Sequence, residues 1–267
     1  MINKKRKINQ GFCKQINCKQ KDRKKYNTKL TKKREKMQNR LNSIFLKYEI
    51  NLSPQQANQL TQFYALVVEK NKIMNLTTIT DEDEFIVKHI LDSGLGVKFL
   101  QDNATVLDIG SGAGFPGIVL KILNPTLKIT LLDSVRKKVD FLNEVIQKLN
   151  LKNITAIHAR VEDFAKENYE SFDYVTSRAV AYLSTLLEYS LPFLKINGKM
   201  IAYKGPLIEE ELNNAQNSLK ILCGKAENII KLNIEDNDRA FLIVTKTKSC
   251  SRAYPRAKNL PRVKPLN

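Results

Sequence analysis

The sequence predicts an α/β protein built on a mostly parallel sheet, and three observations support that prediction. From residue 104 onward, candidate strands alternate with helical stretches of about 10–15 residues. The first candidate strand runs directly into a glycine-rich segment, Gly110–Gly117. Only Glu235–Asp238 separates the last two candidate strands, which is too short for a helical crossover. These two strands are therefore expected to pair antiparallel at one edge of the sheet.

Seven segments rich in β-branched and aliphatic residues are predicted to form the sheet. The clearest helix between them covers Lys137–Leu149, where apolar residues recur at helical spacing. The predicted strands are Thr105–Ile109, Lys128–Leu132, Ile154–Ile157, Tyr174–Thr176, Lys199–Tyr203, Ile229–Ile234 and Phe241–Thr245.

A helical segment, residues 37–103, is predicted to precede the sheet domain, residues 104–245. Ser53, Pro54 and Gln56 suit an N-cap, a first-turn proline and a capping-box glutamine. A second helical stretch is expected over about 83–100.

The net charge of +18 is concentrated at the two ends of the chain. Residues 1–40 contain 16 Lys and Arg against 2 Asp and Glu, and residues 246–267 contain 7 against none. Residues 41–245 carry 22 basic and 25 acidic side chains. The composition of residues 1–36 predicts a disordered basic arm. Two interpretations of it stay open, an RNA-binding arm or an extension upstream of a true start at Met37.

The C-terminal tail, residues 246–267, contains three prolines and no acid, so no regular element is expected there. Together the basic ends favour RNA as a partner, because Lys and Arg neutralise backbone phosphates. No apolar run approaches the roughly 18 residues that cross a bilayer, and the N-terminus lacks the apolar core of a secretory signal. We therefore expect no membrane association.

Cysteine and histidine are sparse, with four Cys scattered along the chain and two His. A disulfide scaffold and a Cys/His metal site are accordingly not expected, and a reducing compartment fits.

The glycine-rich segment is compatible with two cofactors. Gly112–Gly117 matches the dinucleotide pattern G-x-G-x-x-G, whereas Asp108–Gly114 matches D-x-G-x-G-x-G of S-adenosylmethionine (SAM) enzymes. Asp108 would attract the ammonium of a methionine moiety and repel a pyrophosphate, which favours SAM. Asp133 follows at the spacing of a ribose-binding carboxylate, although it could equally cap the next helix.

Several segments together resemble the bacterial small-subunit rRNA guanine-N7 methyltransferases, also called glucose-inhibited division protein B. The resemblance covers about residues 37–267. Its most specific parts are the Gly-Phe-Pro-Gly end of the loop and the run His89–Ser93. The matching segments are Met74–Thr77, Lys88–Ser93, Asp108–Gly117, Leu132–Ser134, Arg160–Glu162, Ser177–Ala179, Lys204–Gly205 and Tyr254–Arg256.

The resemblance implies a Rossmann-like class I SAM-dependent methyltransferase that methylates N7 of a guanine (position 527 in the usual numbering) in 16S rRNA of the small ribosomal subunit. With it, a monomer in the bacterial cytoplasm is favoured over an organellar protein. By motif position it implies SAM contacts at Gly110, Phe115, Val161, Glu162 and Arg178. Asp108, Gly112 and Asp133 complete the predicted cofactor site. The family often has glycine where Asn259 stands, and Asn is a residue that readily adopts the left-handed turn.

No catalytic base is predicted, because guanine N7 carries a free lone pair at neutral pH. His89 is interpreted as structural, and Lys204 as either a phosphate contact or a solvated cation. For Arg178 three roles stay open, namely contact with SAM, contact with the guanine edge, or a salt bridge to Asp133 or Glu162. Two other functions also remain: SAM-dependent methylation of another RNA nucleotide or small molecule, and RNA binding without catalysis.

Overall fold

A computed structural model describes residues 31–266 except Lys258. The chain divides into two compact units, Met1–Thr61 and Gln62–Asn267. Expectations for residues 1–30 and for Lys258 lie outside the described residues.

The first unit contains helix α1, residues 31–46 as described, and the start of helix α2, Pro54–Met74. The predicted capping box is confirmed, because Ser53 N–H donates to Gln56 Oε1 at 2.8 Å and Gln56 N–H to Ser53 Oγ at 3.2 Å. The expected disorder is wrong for residues 31–36, which are helical. They hold no Gly or Pro and lead into buried apolar residues at helical spacing, Met37, Leu41, Ile44 and Phe45.

The second unit contains a seven-stranded sheet. The strands are β1 Thr105–Ile109, β2 Lys128–Asp133, β3 Ile154–His158, β4 Phe172–Arg178, β5 Leu194–Lys204, β6 Gly224–Ile234 and β7 Asn237–Lys246. Their order in the sheet is β3-β2-β1-β4-β5-β7-β6. All neighbours are parallel except β7, which runs antiparallel to both β5 and β6. The predicted fold class, seven strands and terminal hairpin are confirmed.

Helical segments connect the strands, and the predicted helix at Lys137–Leu149 is observed one residue earlier. The stretch expected as one helix over 83–100 is divided into α3 (Glu82–Phe85), a π-helical segment at Ile86–Leu91, α4 (Asp92–Leu95) and a 3-10 turn at Gly96–Phe99. The remaining helices are α5 Gly117–Leu123, α6 Arg136–Lys148, α7 Val161–Phe164, α8 Leu183–Ser190, α9 Ile208–Asn214, α10 Gln216–Ile221 and α11 Leu260–Val263, with a 3-10 turn at Leu191–Phe193.

The tail differs from the expectation of an irregular segment, because α11 forms a single helical turn within it. Proline is tolerated in a first helical turn, where its missing N–H costs no hydrogen bond. Asn259 precedes that turn with φ 60°, so the predicted left-handed conformation is confirmed.

The sheet order locates the binding crevice. From β1 the chain moves first to β2 and β3 on one side, and then to β4 and β5 on the other. The carboxyl ends of β1 and β4 therefore diverge into their following loops at a topological switch point, where open α/β sheets bind ligands. None of the described helices has the length and apolarity needed to span a membrane.

Candidate functional site

Two adjoining cavities open near the carboxyl ends of β1, β2, β4 and β5, and both are lined by Ala179 and Val180. The first, which we call the loop cavity, has a volume of about 420 Å³ and is bordered by Gly110 and Asp133. The second, called here the arginine cavity, measures about 440 Å³ and is bordered by Arg178 and Arg239. Both volumes suit small-molecule sites.

The glycine-rich loop has the backbone conformation that its sequence predicts. Gly110, Gly112 and Gly114 have φ values of 70°, 57° and 102°, which side-chain-bearing residues rarely adopt. A Cβ on Gly110 would lie 2.6 Å from Val180 Cγ2, whereas one on Gly112 would meet no atom closer than 3.8 Å. Gly110 therefore sets the approach of the loop to Val180, the residue that both cavities share.

Asp108 lies beneath the loop, and neither cavity includes it. The side chain is fully buried, with Oδ2 accepting from Gly117 N–H at 3.1 Å and Oδ1 from Thr176 Oγ1 at 3.1 Å. The expectation that Asp108 meets the ammonium of SAM is corrected, because its oxygens serve the loop itself. Burial raises the pKa of Asp108 to about 6, opposed by hydrogen bonds from Ser111, Thr176 and Gly117.

Asp133, Val161 and Glu162 line the loop cavity together, as the sequence predicts for a nucleoside site. Asp133 Oδ2 accepts from Gly112 N–H at 3.0 Å, and Oδ1 accepts from Val135 N–H at 2.9 Å. The alternative that Asp133 caps helix α6 is wrong, because the N-cap residue is Val135 and no side chain caps the helix; Asp133 instead closes a local turn ahead of it. Each carboxylate oxygen keeps a further lone pair, so ribose binding stays possible.

The C-terminal tail forms one wall of the loop cavity through Asn259 and Arg262. Asn259 N–H donates to Glu162 Oε1 at 3.2 Å. The tail is anchored by Arg256, whose Nε and Nη2 reach Glu188 Oε1 and Oε2 at 2.9 and 2.6 Å. Glu188 has no exposed surface. The sequence favours phosphate contacts for the basic tail as a whole, and this buried pair removes Arg256 from that set.

Arg178 lines the arginine cavity and connects several of the other residues that line it. Its Nη1 donates to Asp92 Oδ2 at 2.8 Å and to the Lys88 carbonyl at 2.9 Å, and Nη2 lies 3.1 Å from His89 Nδ1. A salt bridge exists, as one expectation had it, but the partner is Asp92. Arg239 reaches the other oxygen of Asp92 at 3.4 Å. One buried carboxylate thus joins two guanidinium groups.

His89 is neutral in this arrangement. Burial, and then the charge of Arg178, lower the pKa of His89 to about 4. Because Arg178 can only donate to Nδ1, the hydrogen of the ring lies on Nε2, 2.7 Å from Thr77 Oγ1. The ring stacks on Phe115 with centroids 4.9 Å apart. His89 is thus both structural, as predicted, and a cavity-lining residue.

Phe115 was expected to contact SAM, and Lys204 was expected either to contact phosphate or to be solvated. Phe115 is buried against Phe63, Phe85 and His89 and lines neither cavity, so it supports the loop from behind. Lys204 Nζ donates to Glu211 at 2.6 Å and to the Ala181 carbonyl at 2.9 Å. It is therefore neither solvated nor free to meet phosphate.

The sequence did not indicate the carboxylates that pair with the basic residues of the site, nor the role of Arg239. Asp92 lies within the matched run Lys88–Ser93, but nothing there indicates pairing with Arg178, 86 residues away. Arg239, Glu211 and Glu188 carry no local motif at all. The one available signal was Glu188, the single charged residue of α8.

The sheet order, the glycine loop after β1 and the carboxylate at the end of β2 define a Rossmann-like methyltransferase fold of class I. A Pyrococcus horikoshii protein described as a candidate transferase shares the fold over 64% of this chain and 66% of its own, with TM-score 0.51 and 15% identity.

The family itself is shown by sequence. The family model GidB, rRNA small subunit methyltransferase G, matches residues 56–241. A protein of that name from Desulforamulus reducens is 45% identical over 82% of this chain and 93% of its own length. Another from Thermoanaerobacter is 47% identical over 77% and 88%. The chain belongs to the small-subunit rRNA methyltransferase G family.

Proposed function

We propose that this protein transfers the methyl group of SAM to N7 of a guanine in 16S rRNA, the position-527 type that the family resemblance implies. The observation that supports this most is the pair of adjoining cavities at the switch point. One of them offers carboxylates suited to a nucleoside, and the other offers a cationic, desolvated wall suited to an acceptor base.

The loop cavity fits the adenosine part of SAM. Asp133 is the last residue of β2, where a ribose diol is bound in such folds, and Glu162 lies in α7 after β3. Gly110 leaves room for close approach, and Val161 supplies an apolar face. When bound, SAM supplies an electrophilic methyl group on a sulfonium. Phe115, Asp108 and Gly112 act indirectly by holding the loop that shapes the cavity.

Methyl transfer to guanine N7 in the arginine cavity requires no general base. Guanine N7 attacks with a lone pair, so the protein needs only to align the base and exclude water. Arg178 is committed to Asp92, Lys88 and His89, so Nη1 and Nη2 do not block that lone pair. With its pKa near 4, His89 adds no positive charge to repel the cationic product.

The exposed cations of the C-terminal tail supply contacts to the phosphates of the rRNA. Arg256 and Lys246 are excluded from that role by their buried pairs with Glu188 and Glu170. The exposed tail cations among the described residues are Lys248, Arg252, Arg262 and Lys264. We expect a monomer in the bacterial cytoplasm, where the rRNA of the small subunit is made.

The test is transfer of labelled methyl from SAM to small ribosomal subunits that lack the modification, with the product mapped by mass spectrometry. Asp133→Asn should weaken SAM binding about tenfold, because a carboxylate accepts ribose hydroxyl hydrogens more strongly than an amide. Asp163→Asn is the matched control, since that carboxylate is exposed and pairs with Lys166 outside both cavities. It should bind SAM like the wild type.

Methylation of another nucleotide, or of a small molecule alone, would contradict the proposed substrate. Binding of NAD in place of SAM by calorimetry would contradict the proposed cofactor.

A further inference from the structure

Tyr182 is the one fully exposed aromatic side chain among the described residues. It is 78% exposed, whereas each Phe and every other Tyr of that part of the chain is buried or half-buried. Single exposed apolar residues are ordinary on protein surfaces, so exposure alone indicates nothing. What distinguishes Tyr182 is its position and its support.

Tyr182 stands beside the two cavities already described. It lines a third cavity of about 500 Å³ together with Thr185, Arg262 and Pro265. Ala179 and Val180 belong to all three cavities, and Arg262 also lines the loop cavity. The ring therefore lies beside the two residues that the arginine cavity shares with the loop cavity.

The backbone on both sides of Tyr182 is held by polar contacts. Lys204 Nζ donates to the Ala181 carbonyl at 2.9 Å, and Leu183 N–H donates to Glu211 Oε2 at 2.8 Å. Lys204 and Glu211 in turn form an ion pair at 2.6 Å, with both side chains largely buried. An exposed ring on a fixed backbone loses little conformational freedom when a ligand covers it, which favours binding.

The charge of Arg262, which lines the same cavity as Tyr182, indicates the kind of ligand. Arg262 is exposed, its Nη2 donates to the Val180 carbonyl at 3.2 Å, and no carboxylate pairs with it within the described part of the chain. A flat aromatic face beside an uncompensated guanidinium matches a nucleobase and its phosphate.

We propose that Tyr182 is a stacking platform for the base adjacent to the target guanine. This proposal rests on the proposed function. A guanine that enters the arginine cavity must leave its own stack, which exposes one face of its neighbour. Tyr182 covers that face, and Arg262 meets the connecting phosphate. Tyr182 is thus a positioning residue for the RNA that touches neither the methyl group nor N7.

Steady-state methylation of unmodified small ribosomal subunits tests the proposal. Tyr182→Ala should raise the KM for the subunits about tenfold, as expected for loss of one stacked base, with kcat and SAM affinity near wild type. Tyr182→Phe should behave as wild type, because the ring and not the hydroxyl is required. Ile196→Ala is the matched control, since Ile196 is 51% exposed and lines none of the three cavities.

A second measurement uses the absence of tryptophan from the chain. Tyr182→Trp introduces a single indole whose fluorescence should be quenched when 16S rRNA is added, whereas Ile196→Trp should show no quenching. A wild-type KM for Tyr182→Ala would overturn the proposal, and so would equal losses for Tyr182→Ala and Tyr182→Phe. Absence of any rRNA methylation by the wild type would instead overturn the proposed function.

Discussion

The buried pair between Arg256 and Glu188 predicts that one tail arginine stabilises the fold instead of binding RNA. Glu188 is fully buried in α8 and accepts three hydrogen bonds from Arg256, from its backbone N–H at 2.8 Å as well as from Nε and Nη2. Removing one partner of such a pair leaves an uncompensated buried charge. Arg256→Met should therefore lower the free energy of unfolding by about 3–5 kcal/mol.

The assay is urea unfolding followed by far-UV circular dichroism, with three comparison variants. Lys264→Ala, an exposed tail cation, should change the free energy of unfolding by less than about 0.5 kcal/mol. Glu188→Met alone should be destabilising as well. The double variant Arg256→Met/Glu188→Met should recover most of the loss, because no charge is left buried. Recovery should be incomplete, since the N–H of residue 256 still lacks its acceptor.

Arg256→Met alone should also weaken SAM binding. The tail that Arg256 anchors contributes Asn259 and Arg262 to the loop cavity, and Asn259 bonds to Glu162. An Arg256→Met protein with wild-type stability and a flattened salt dependence of rRNA binding would refute this reasoning. That result would restore the role that the sequence alone suggested for Arg256.

Three further predictions concern pH, the loop and the tail charges. His89 stabilises the fold above about pH 6.5 and loses that contribution as pH falls toward 4, whereas Asp108 makes stability fall as pH rises from about 4 to about 6. These two terms have opposite signs, so His89→Gln, which removes the first, should make the free energy of unfolding rise less between pH 4 and 6.5 than it does in the wild type, as measured by urea titration at each pH; identical pH profiles would contradict this. Gly110→Ala should reduce SAM affinity in calorimetry more than Gly112→Ala, because both have positive φ but only Gly110 collides with Val180; equal losses would show that backbone strain alone matters. Replacing Arg252, Arg262 and Lys264 by Ser should reduce the log–log salt slope of rRNA binding by about 2, at roughly 0.7 per lost phosphate contact, and an unchanged slope would exclude the tail from the RNA interface.

The architecture was determined by local sequence. Alternating strand and helix patterns predicted seven strands, and the short connection at Glu235–Asp238 predicted the antiparallel hairpin. The capping box at Ser53 and the left-handed turn at Asn259 were equally readable, because each depends on residues within a few positions. The positive φ values of the loop glycines could also be predicted from the sequence, because they depend on the residue itself and its immediate neighbours.

The partners of charged side chains were decided only by the tertiary structure. Asp108 has the position of a cofactor ligand in its motif, yet packing buries it under the loop, where Gly117 and Thr176 occupy its oxygens. Arg178 pairs with Asp92 across 86 residues, and Arg256 pairs with Glu188 across 68. The physical reason is that a charge takes whichever opposite charge the fold brings within a few ångströms in a desolvated place, and the energy of that pairing depends on burial. Sequence spacing specifies neither the distance nor the burial, so the motif residues could be located in advance while their partners could not.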